Sequence, residues 1–263
     1  MRTISIERPA EWDVCEVHCF ADAHIGDKQT NYDLLKQRIK HCEDTENCIV
    51  LLNGDLCNTA TKTSVSDIYA ESIRPMEQMQ RVVDLFGKLA EQDKIAAVTD
   101  GNHERRIYKQ DGIDLTEVIA TQLGIRDRYS SGMALVFLRF GERTIRGQHR
   151  RKMLYTLALS HGAGGGAKIG GKASRLVGLS EIVDADVYWR SHVHEPLIVK
   201  RNFFRTSAAN SSVQSVTRLF VNTAAYTEWG GGGYCEQGEF VPNSTDTPTV
   251  FLDGHERKMW AKL

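Results

Sequence analysis

Short apolar runs alternate with amphipathic stretches through the first half of the chain, a pattern typical of layered α/β proteins. Three runs have the length and composition of buried strands, and they span residues 14–21, 48–53 and 95–99. Apolar residues recur at helical spacing in three other stretches, residues 32–42, 67–92 and 114–123. Pro75 lies inside the second of these stretches and predicts a kink or a new helix start there.

The pattern shifts toward β structure after residue 133. Strands are predicted at 133–140, 153–160 and 187–191, with a helix over 172–183. Strand-like segments in the remaining chain cover 196–200, 218–223 and 248–252, and Asp253-Gly254 after the last one indicates a hairpin turn. Because no internal repeat or linker interrupts the pattern, we expect a single domain over residues 1–263. Its fold class is predicted to be α/β, with layered sheets and helices.

Five short motifs with metal-binding side chains follow the ends of predicted strands. In chain order they are Asp22-Ala-His24, Gly54-Asp55, Gly101-Asn102-His103-Glu104, Ser160-His161-Gly162 and Ser191-His192-Val193-His194. Folds of the α/β class place their ligand sites just past the carboxyl ends of strands. The spacing therefore favours one shared site over scattered structural acids and histidines.

Carboxylate, amide and imidazole groups dominate these motifs. That mixture suits manganese, iron or zinc better than magnesium, whose sites hold fewer imidazoles. Two such ions about 3.5–4 Å apart can clamp a phosphoryl group and generate its nucleophile. Asp55 is in the middle of the set and can offer one oxygen to each ion.

The order of the motifs resembles that of the calcineurin-like metallophosphoesterases, and the resemblance covers residues 22–194. It implies a β-sandwich flanked by helices in four layers, αββα. It also implies two divalent ions, with manganese preferred and iron, zinc or nickel as alternatives. Carried over by motif, the ligands of the first ion are Asp22, His24, Asp55 and His194. Those of the second ion are Asp55, Asn102, His161 and His192.

The resemblance further implies how the reaction runs. A hydroxide held between the ions would attack phosphorus, with Asp55 as the bridging catalytic carboxylate. His103 would protonate the leaving group as general acid, and Asn102 and His103 would contact the phosphate. Arg106 would hold the active-site loop or the substrate. The chain departs from the family pattern at Ser160 and Ser191, where glycine is usual; serine is small enough for the same turn.

Charge gives little information about the substrate. Lys plus Arg number 33 and Asp plus Glu 34, so the net charge is −1 and any polyanion site must be local. One basic segment, residues 139–152, is a solvated hairpin, a subunit contact or such a polyanion site. Its cationic residues are Arg139, Arg143, Arg146, Arg150, Arg151 and Lys152.

Two glycine-rich segments are further candidates for substrate contact. Residues 162–171 follow His161 and lack the ending of a phosphate-binding P-loop, so they predict a mobile rim of the site. Residues 229–234 are interpreted as a surface loop, or as a base-stacking loop through Trp229 or Tyr234.

The leading hypothesis is a metal-dependent phosphodiesterase acting on DNA, RNA or nucleotides. A phosphomonoesterase or pyrophosphatase for nucleotides or phosphoproteins shares every motif residue and stays open. A non-catalytic binding scaffold is disfavoured because the seven ligands and His103 are all present. The motifs do not predict an oligomeric state.

The six cysteines lack the CxxC spacing of zinc or redox sites, and Cys15, Cys19 and Cys48 lie in apolar stretches typical of buried free thiols. The first thirteen residues are charged and lack the apolar core of a signal peptide. No apolar run is long enough to span a bilayer. These features predict a cytoplasmic protein with no membrane partner.

Overall fold

The computed structural model describes residues 1–62, 64, 68–145, 149–164 and 168–263. Within these ranges the strands are β1 (Arg2–Glu7), β2 (Val14–Phe20), β3 (Cys48–Asn53), β4 (Ile95–Thr99), β5 (Tyr129–Ser130), β6 (Ala134–Ile145), β7 (His149–Ser160), β8 (Val187–Arg190), β9 (Leu197–Ser207), β10 (Ser212–Asn222), β11 (Thr249–Asp253) and β12 (Met259–Lys262). The helices are α1 (Tyr32–Asp44), α2 (Pro75–Glu91), α3 (Glu104–Asp111), α4 (Leu115–Gln122), α5 (Ile169–Val177) and α6 (Tyr234–Gln237).

The strands form two six-stranded mixed sheets. Sheet one has the order β12-β11-β2-β3-β4-β5, in which β2 to β5 are parallel and β11 is antiparallel to both neighbours. Sheet two has the order β1-β6-β7-β8-β10-β9, with β7, β8 and β10 parallel at its centre. Parallel neighbours bring their carboxyl ends to the same edge, so each sheet has one edge where loops can gather.

Three apolar clusters define the layers. The largest lies between the sheets, where Val17 and Leu51 of sheet one pack in the same cluster as Tyr155 and Trp189 of sheet two. The outer face of sheet one is covered by α1, α2 and α4, through residues such as Leu35, Val82 and Ile119. The outer face of sheet two is covered by the α5 region. The expected four-layer αββα sandwich is therefore confirmed.

Most predicted elements are present, and where the observed boundaries differ from the predicted ones the cause is local. In the stretch 67–92, the helix α2 begins at Pro75. Proline is tolerated in the first turn of a helix, because the N–H that it lacks would have no partner within the helix there. Before it lies one turn of 3-10 helix, Ile68–Ala70, and residue 67 is outside the described ranges. The helix predicted over 172–183 starts earlier, at Ile169, and ends at Val177.

Two features of sheet two were not predicted. β1 is a parallel edge strand beside β6, although only Ile4 and Ile6 of its six residues are buried. β9 and β10 extend well past the predicted segments as an antiparallel hairpin whose outer half is largely exposed. By contrast, the predicted turn at Asp253-Gly254 does join an antiparallel pair, β11 and β12.

Every described helix is too short or too polar to cross a lipid bilayer.

Candidate metal centre

The five motifs converge because each one directly follows a strand. Three of them leave the parallel strands β2, β3 and β4, and the other two leave β7 and β8 of the facing sheet. The carboxyl ends of both sets lie at the same end of the sandwich, as the contact between Asn53 and Ser191 shows: the Asn53 amide donates to the Ser191 hydroxyl at 2.7 Å. Side chains from both sheets therefore share one site.

The backbone at this site is strained. Five of the predicted ligands have positive φ, at Asp22 (52°), His24 (47°), Asp55 (51°), His192 (73°) and His194 (54°). A non-glycine residue in this left-handed region costs on the order of 1–2 kcal/mol. Such strain persists only where surrounding contacts fix it, and it is concentrated at functional sites. Here it turns the donor side chains inward as soon as each strand ends.

The first donor group consists of Asp22, His24 and His194, whose ligand atoms lie within 4.8 Å of one another. His194 Nε2 is 3.4 Å from Asp22 Oδ1 and 3.1 Å from His24 Nε2. The backbone N–H of His192 donates to the Asp22 carboxylate at 3.1 Å and holds it in place. Both Asp22 and His24 are buried.

The second donor group consists of Asp55, His161 and His192, again within 4.8 Å. His161 Nε2 lies 3.0 Å from Asp55 Oδ2 and 3.2 Å from Asn102 Oδ1, so the predicted amide ligand joins this group. His161 Nδ1 donates to the Asn53 carbonyl at 2.7 Å. Since that bond fixes the ring proton on Nδ1, Nε2 is directed into the site, as in many metal-binding histidines.

Asp55 connects the two groups. Its carboxylate also forms a third group with His24 and His103, so it is within reach of donors from both sides. The sequence analysis predicted a bridging role for this residue. All seven predicted ligands and His103 are brought together, and the prediction of their separate roles stays a prediction.

The electrostatics fit a divalent cation. Burial lowers the pKa of His24 well below its ordinary value, so this imidazole is neutral and its lone pair can bind a metal ion. Burial also opposes charge on His161, but Asp55 outweighs it and raises the pKa of His161 to about 10. A buried carboxylate needs a nearby positive charge, and here a protonated imidazole would supply it. A bound divalent cation can supply that charge instead, with the carboxylates and neutral imidazoles as its ligands. The residues present therefore fit a divalent metal site.

His103 and Arg106 lie together beside the donor groups. His103 Nδ1 donates to the Asn58 carbonyl at 2.7 Å, and the Arg106 guanidinium lies 3.0 Å from His103 Nε2. His103 Nε2 is also 3.9 Å from Asp55 Oδ2. Burial lowers the pKa of His103 and Arg106 lowers it further, whereas Asp55 raises it. His103 is thus adjacent to the predicted bridging carboxylate, and Arg106 contacts His103.

Two residues that position the site were not singled out from the sequence. The buried Glu104 carboxylate accepts from the backbone N–H groups of Asp55 at 3.0 Å and Cys57 at 2.8 Å, which ties two motif loops together. Burial, with Asp55 nearby, raises the pKa of Glu104 to about 7. Asn53 links the sheets, as described above. The Gly-Asn-His-Glu run was the available signal for Glu104; Asn53 had none beyond its place at a strand end.

The two serines that replace glycine are tolerated for a visible reason. Ser191 is buried, and its hydroxyl accepts the hydrogen bond from Asn53. Ser160 presents its carbonyl to the same amide at 3.3 Å. Serine at position 191 therefore adds a polar link between the sheets without displacing a donor.

The basic segment lies away from this centre. Its described residues belong to β6 and β7, and Arg150 is ten residues before Ser160 on one extended strand. At about 3.3 Å per residue, the basic tip is about 25–35 Å from the strand end that carries His161. Arg150 pairs with Glu142 and Lys152 donates to the Arg8 carbonyl, while Arg146 is outside the described residues.

The glycine-rich segments are nearer. Residues 165–167 of the first are outside the described ranges, and Lys172, just after it, pairs with Glu195 beside His194 at 2.9 Å. Just before the second segment, Thr227 forms a bridge with Thr30, whose hydroxyl donates to the His24 carbonyl at 2.7 Å. Trp229 follows two residues later and is 47% exposed. The Tyr234 side chain is outside what the structure describes.

No protein-family model matches the sequence, and no curated protein matches it. Among solved structures, a predicted phosphoesterase from Streptococcus pneumoniae is 12% identical, with 95% of this chain and 98% of that chain covered and a TM-score of 0.36. Vps29 from Entamoeba histolytica, solved with zinc, is 13% identical, with 93% and 88% covered and a TM-score of 0.40. A nuclease, MPE, from Pseudomonas putida is 14% identical, with 94% and 87% covered and a TM-score of 0.35.

Proposed function

We propose that the protein is a metal-dependent phosphodiesterase that acts on nucleic acid or nucleotides. The observation that carries the proposal is the position of Asp55 between two His-containing donor groups, with His103 and Arg106 alongside. Each donor group combines a carboxylate with two imidazoles, the set that suits manganese, iron or zinc. We propose manganese as the preferred ion, two per chain.

The residues would divide the work by position. Asp22, His24 and His194 would hold one ion, His161, His192 and Asn102 the other, and Asp55 would contact both. Bound there, the ions would supply positive charge for the phosphoryl oxygens and make water acidic enough to attack phosphorus near neutral pH. Orienting the phosphate and protonating the leaving group would be the tasks of the protein side chains.

In this proposal, His103 would protonate the leaving group. Its Nδ1 proton is held by the Asn58 carbonyl, so any proton transferred to substrate must come from Nε2. A bound phosphate would accept from Arg106 and, as an anion, would favour the protonated imidazole. Proton donation helps most when the leaving group is a poor one, such as the hydroxyl of a sugar. The arrangement therefore favours natural diesters over activated esters.

Trp229 supports a substrate that carries a base. It is half-exposed, and it sits on the loop that pairs with the segment following His24. Its indole N–H donates to the Phe240 carbonyl at 2.8 Å, which fixes the ring in one orientation. A fixed, exposed aromatic surface contributes about 1–3 kcal/mol per stacked base.

A substrate panel tests the proposal. Metal-free protein, reloaded with manganese, would be assayed on single-stranded DNA, RNA, cyclic nucleotides, dinucleoside polyphosphates, nucleotide monoesters and phosphopeptides. We expect diesters to be hydrolysed with the highest kcat/KM, and an Asp55→Asn preparation to show the background from contaminating enzymes. Faster turnover of monoesters or pyrophosphates would overturn the diesterase assignment. Inactivity of metal-loaded protein on the whole panel would favour a binding scaffold.

The role of Trp229 has its own test. Trp229→Ala should raise KM for nucleotide diesters about tenfold or more, because a stacking surface is lost. Hydrolysis of bis-nitrophenyl phosphate, which has no base, should change little. Phe204→Ala is the matched control, since Phe204 is 83% exposed on the distant β9-β10 hairpin. Equal effects of Trp229→Ala on both substrates would contradict base stacking.

A further inference from the structure

A second cluster of metal-binding side chains lies under α1, apart from the candidate metal centre. His18 is in the middle of β2, Cys42 is in the last turn of α1, and Cys48 is the first residue of β3. The two cysteines are completely buried, and the His18 side chain is only 13% exposed. The cluster cannot be recognised from sequence spacing, because its members are brought together by the packing of a helix on two strands.

The geometry suits a thiophilic ion. One ligand atom from each of His18, Cys42 and Cys48 lies within 4.8 Å of the other two. Around a tetrahedral zinc ion with Zn–S bonds of about 2.3 Å, two sulfur ligands are about 3.8 Å apart. The sulfur atoms of Cys42 and Cys48 are two of these ligand atoms, so they already lie within 4.8 Å of each other. Small rotations of the side chains would bring all three donors to bonding distance.

Glu16 completes the surroundings. Its Oε2 atom is 3.0 Å from His18 Nε2 and 3.0 Å from His41 Nε2. A carboxylate hydrogen-bonded to an imidazole is the usual partner of a metal-binding histidine, because it fixes the ring and makes it a better donor. If His18 binds through Nδ1, Glu16 has this role; if it binds through Nε2, Glu16 is placed as the fourth ligand.

We propose that His18, Cys42 and Cys48 form a structural zinc site that is separate from the catalytic centre. Soft thiolate ligands select zinc over manganese, so manganese added to load the candidate metal centre would not displace zinc from this site. On binding, each thiol loses its proton to solvent, and the two thiolates balance the charge of the ion. The proposal does not depend on the proposed phosphodiesterase activity.

The ion would fasten the end of α1 to sheet one. Lys94 already donates to the carbonyls of Cys42, Glu43 and Thr45 at 2.8, 2.9 and 2.8 Å, so the carboxyl end of the helix is anchored by a cation. The other end of α1 begins at Asn31, just beyond the motif that contains His24. A metal bridge from α1 to β2 and β3 would therefore stabilise the layer behind the catalytic centre.

Cobalt provides a specific readout. Within the described part of the chain, the donor groups of the catalytic centre contain only nitrogen and oxygen. A thiolate-to-cobalt charge-transfer band in the near ultraviolet would therefore report on this cluster alone. Reduced, metal-free full-length protein titrated with Co²⁺ should develop the band with one equivalent at this site, and added Zn²⁺ should abolish it.

Four variants separate binding from folding. Cys42→Ser and Cys48→Ser should remove the band, whereas Cys19→Ser should keep it, because Cys19 is equally buried on β2 but packs between the sheets. His18→Gln, at a less buried position, should weaken cobalt binding at least about tenfold. Circular dichroism of each variant would check that the fold is intact.

The outcomes are decisive in both directions. A band that is absent from wild-type protein, or that survives in folded Cys42→Ser, would overturn the proposal. So would ready oxidation of wild-type protein to a Cys42–Cys48 disulfide, a loss of two hydrogens in mass, without any cobalt band. Loss of phosphodiesterase activity with the band intact would instead count against the catalytic centre and leave the zinc site standing.

Discussion

At His103, both ring nitrogens have defined partners. Nδ1 donates to the Asn58 carbonyl, and Nε2 faces Arg106 and Asp55. Because a carbonyl oxygen can only accept a hydrogen bond, Nδ1 keeps its proton. Nε2 is therefore the ring nitrogen that can exchange a proton with a substrate. The proposed role of His103 in proton transfer can be tested with leaving groups of different basicity.

His103→Ala should lower kcat/KM for natural diesters by about 10²–10⁴-fold, since general acid catalysis contributes about that much. Hydrolysis of a nitrophenyl diester should fall by about tenfold or less, because its leaving group needs little protonation. Steady-state kinetics on both substrates would measure the two effects. Equal losses would argue against a proton donor and in favour of a binding role.

Asp55 is the residue whose change should affect both donor groups together. Asp55→Asn keeps the size of the side chain but removes the charge, so bound metal and activity should both be lost. Elemental analysis of protein reloaded with manganese would measure occupancy. Asp27→Asn is the matched control, because Asp27 closely follows the Asp22-Ala-His24 motif but belongs to none of the donor groups found among the described residues. Its carboxylate accepts from the Gln29 N–H at 2.8 Å. Full occupancy in Asp55→Asn would exclude the bridging assignment.

Among the secondary-structure elements, the loops that follow β3 and β4 are in close backbone contact. A Cβ atom on Gly101 would collide with the backbone nitrogen and Oδ1 of Asp55 and would come within 2.6 Å of Glu104 Oε2. Gly54 has a φ of 78° and faces the backbone of Gly101 in the same way. These glycines allow two strand ends to approach closely enough for Asp55, Asn102 and His103 to share a site.

Gly101→Ala should therefore displace the Asp55 loop and lower activity about 100-fold or more, since misplacement by about 1 Å can cost that much. Overpacking should also reduce the free energy of unfolding by about 1–3 kcal/mol. Urea denaturation and diester kinetics would measure the two effects.

Gly87→Ala is the control for the loss of a glycine. Gly87 lies within α2, and an added Cβ would meet nothing within 4 Å. Alanine stabilises a helix interior by about 0.8–1 kcal/mol relative to glycine. The variant should be slightly more stable and fully active; normal activity in Gly101→Ala as well would show that the close approach is not needed.

Across the whole molecule, the two ends of the sandwich differ. One end carries the donor groups, while contacts between the sheets close the other. There, His255 in the β11-β12 turn of sheet one contacts the Glu142 carbonyl of sheet two at 2.8 Å through Nδ1, and Asp13 at 2.7 Å through Nε2. The hydrogen bond to Asp13, together with that to Glu142, raises the pKa of His255.

Stability should depend on pH through this contact. A histidine whose pKa is higher in the folded state stabilises the fold fully below its unfolded pKa, about 6.5, and loses that contribution as pH rises through the folded value. Because the pair is largely exposed, we expect the Tm to fall by only about 1–2 °C across that range. The His255→Gln variant should lack this part of the pH dependence, which thermal scans from pH 6 to 9 would reveal. An identical profile in both proteins would contradict the assignment.

The elements that the sequence predicted well are those whose periodicity reports burial directly. β3 and β4 are buried at every residue, and both were located to their end residues. α1 and α4 were likewise located by helical spacing, and Asp114 caps α4 by accepting from the Glu117 N–H. β1 was missed because an edge strand with two buried residues has too short a pattern to recognise.

The donor types, their order and their places after strand ends can all be recognised in the amino-acid sequence, because short motifs carry both chemistry and turn geometry. Tertiary packing selects which residues from separate elements meet. It placed the basic tip of β6 and β7 at the far end of the strands from His161, and it brought His18 together with Cys42 and Cys48. Neither result could be read from spacing, because both depend on how a helix and two sheets pack, and packing joins residues regardless of their separation along the chain.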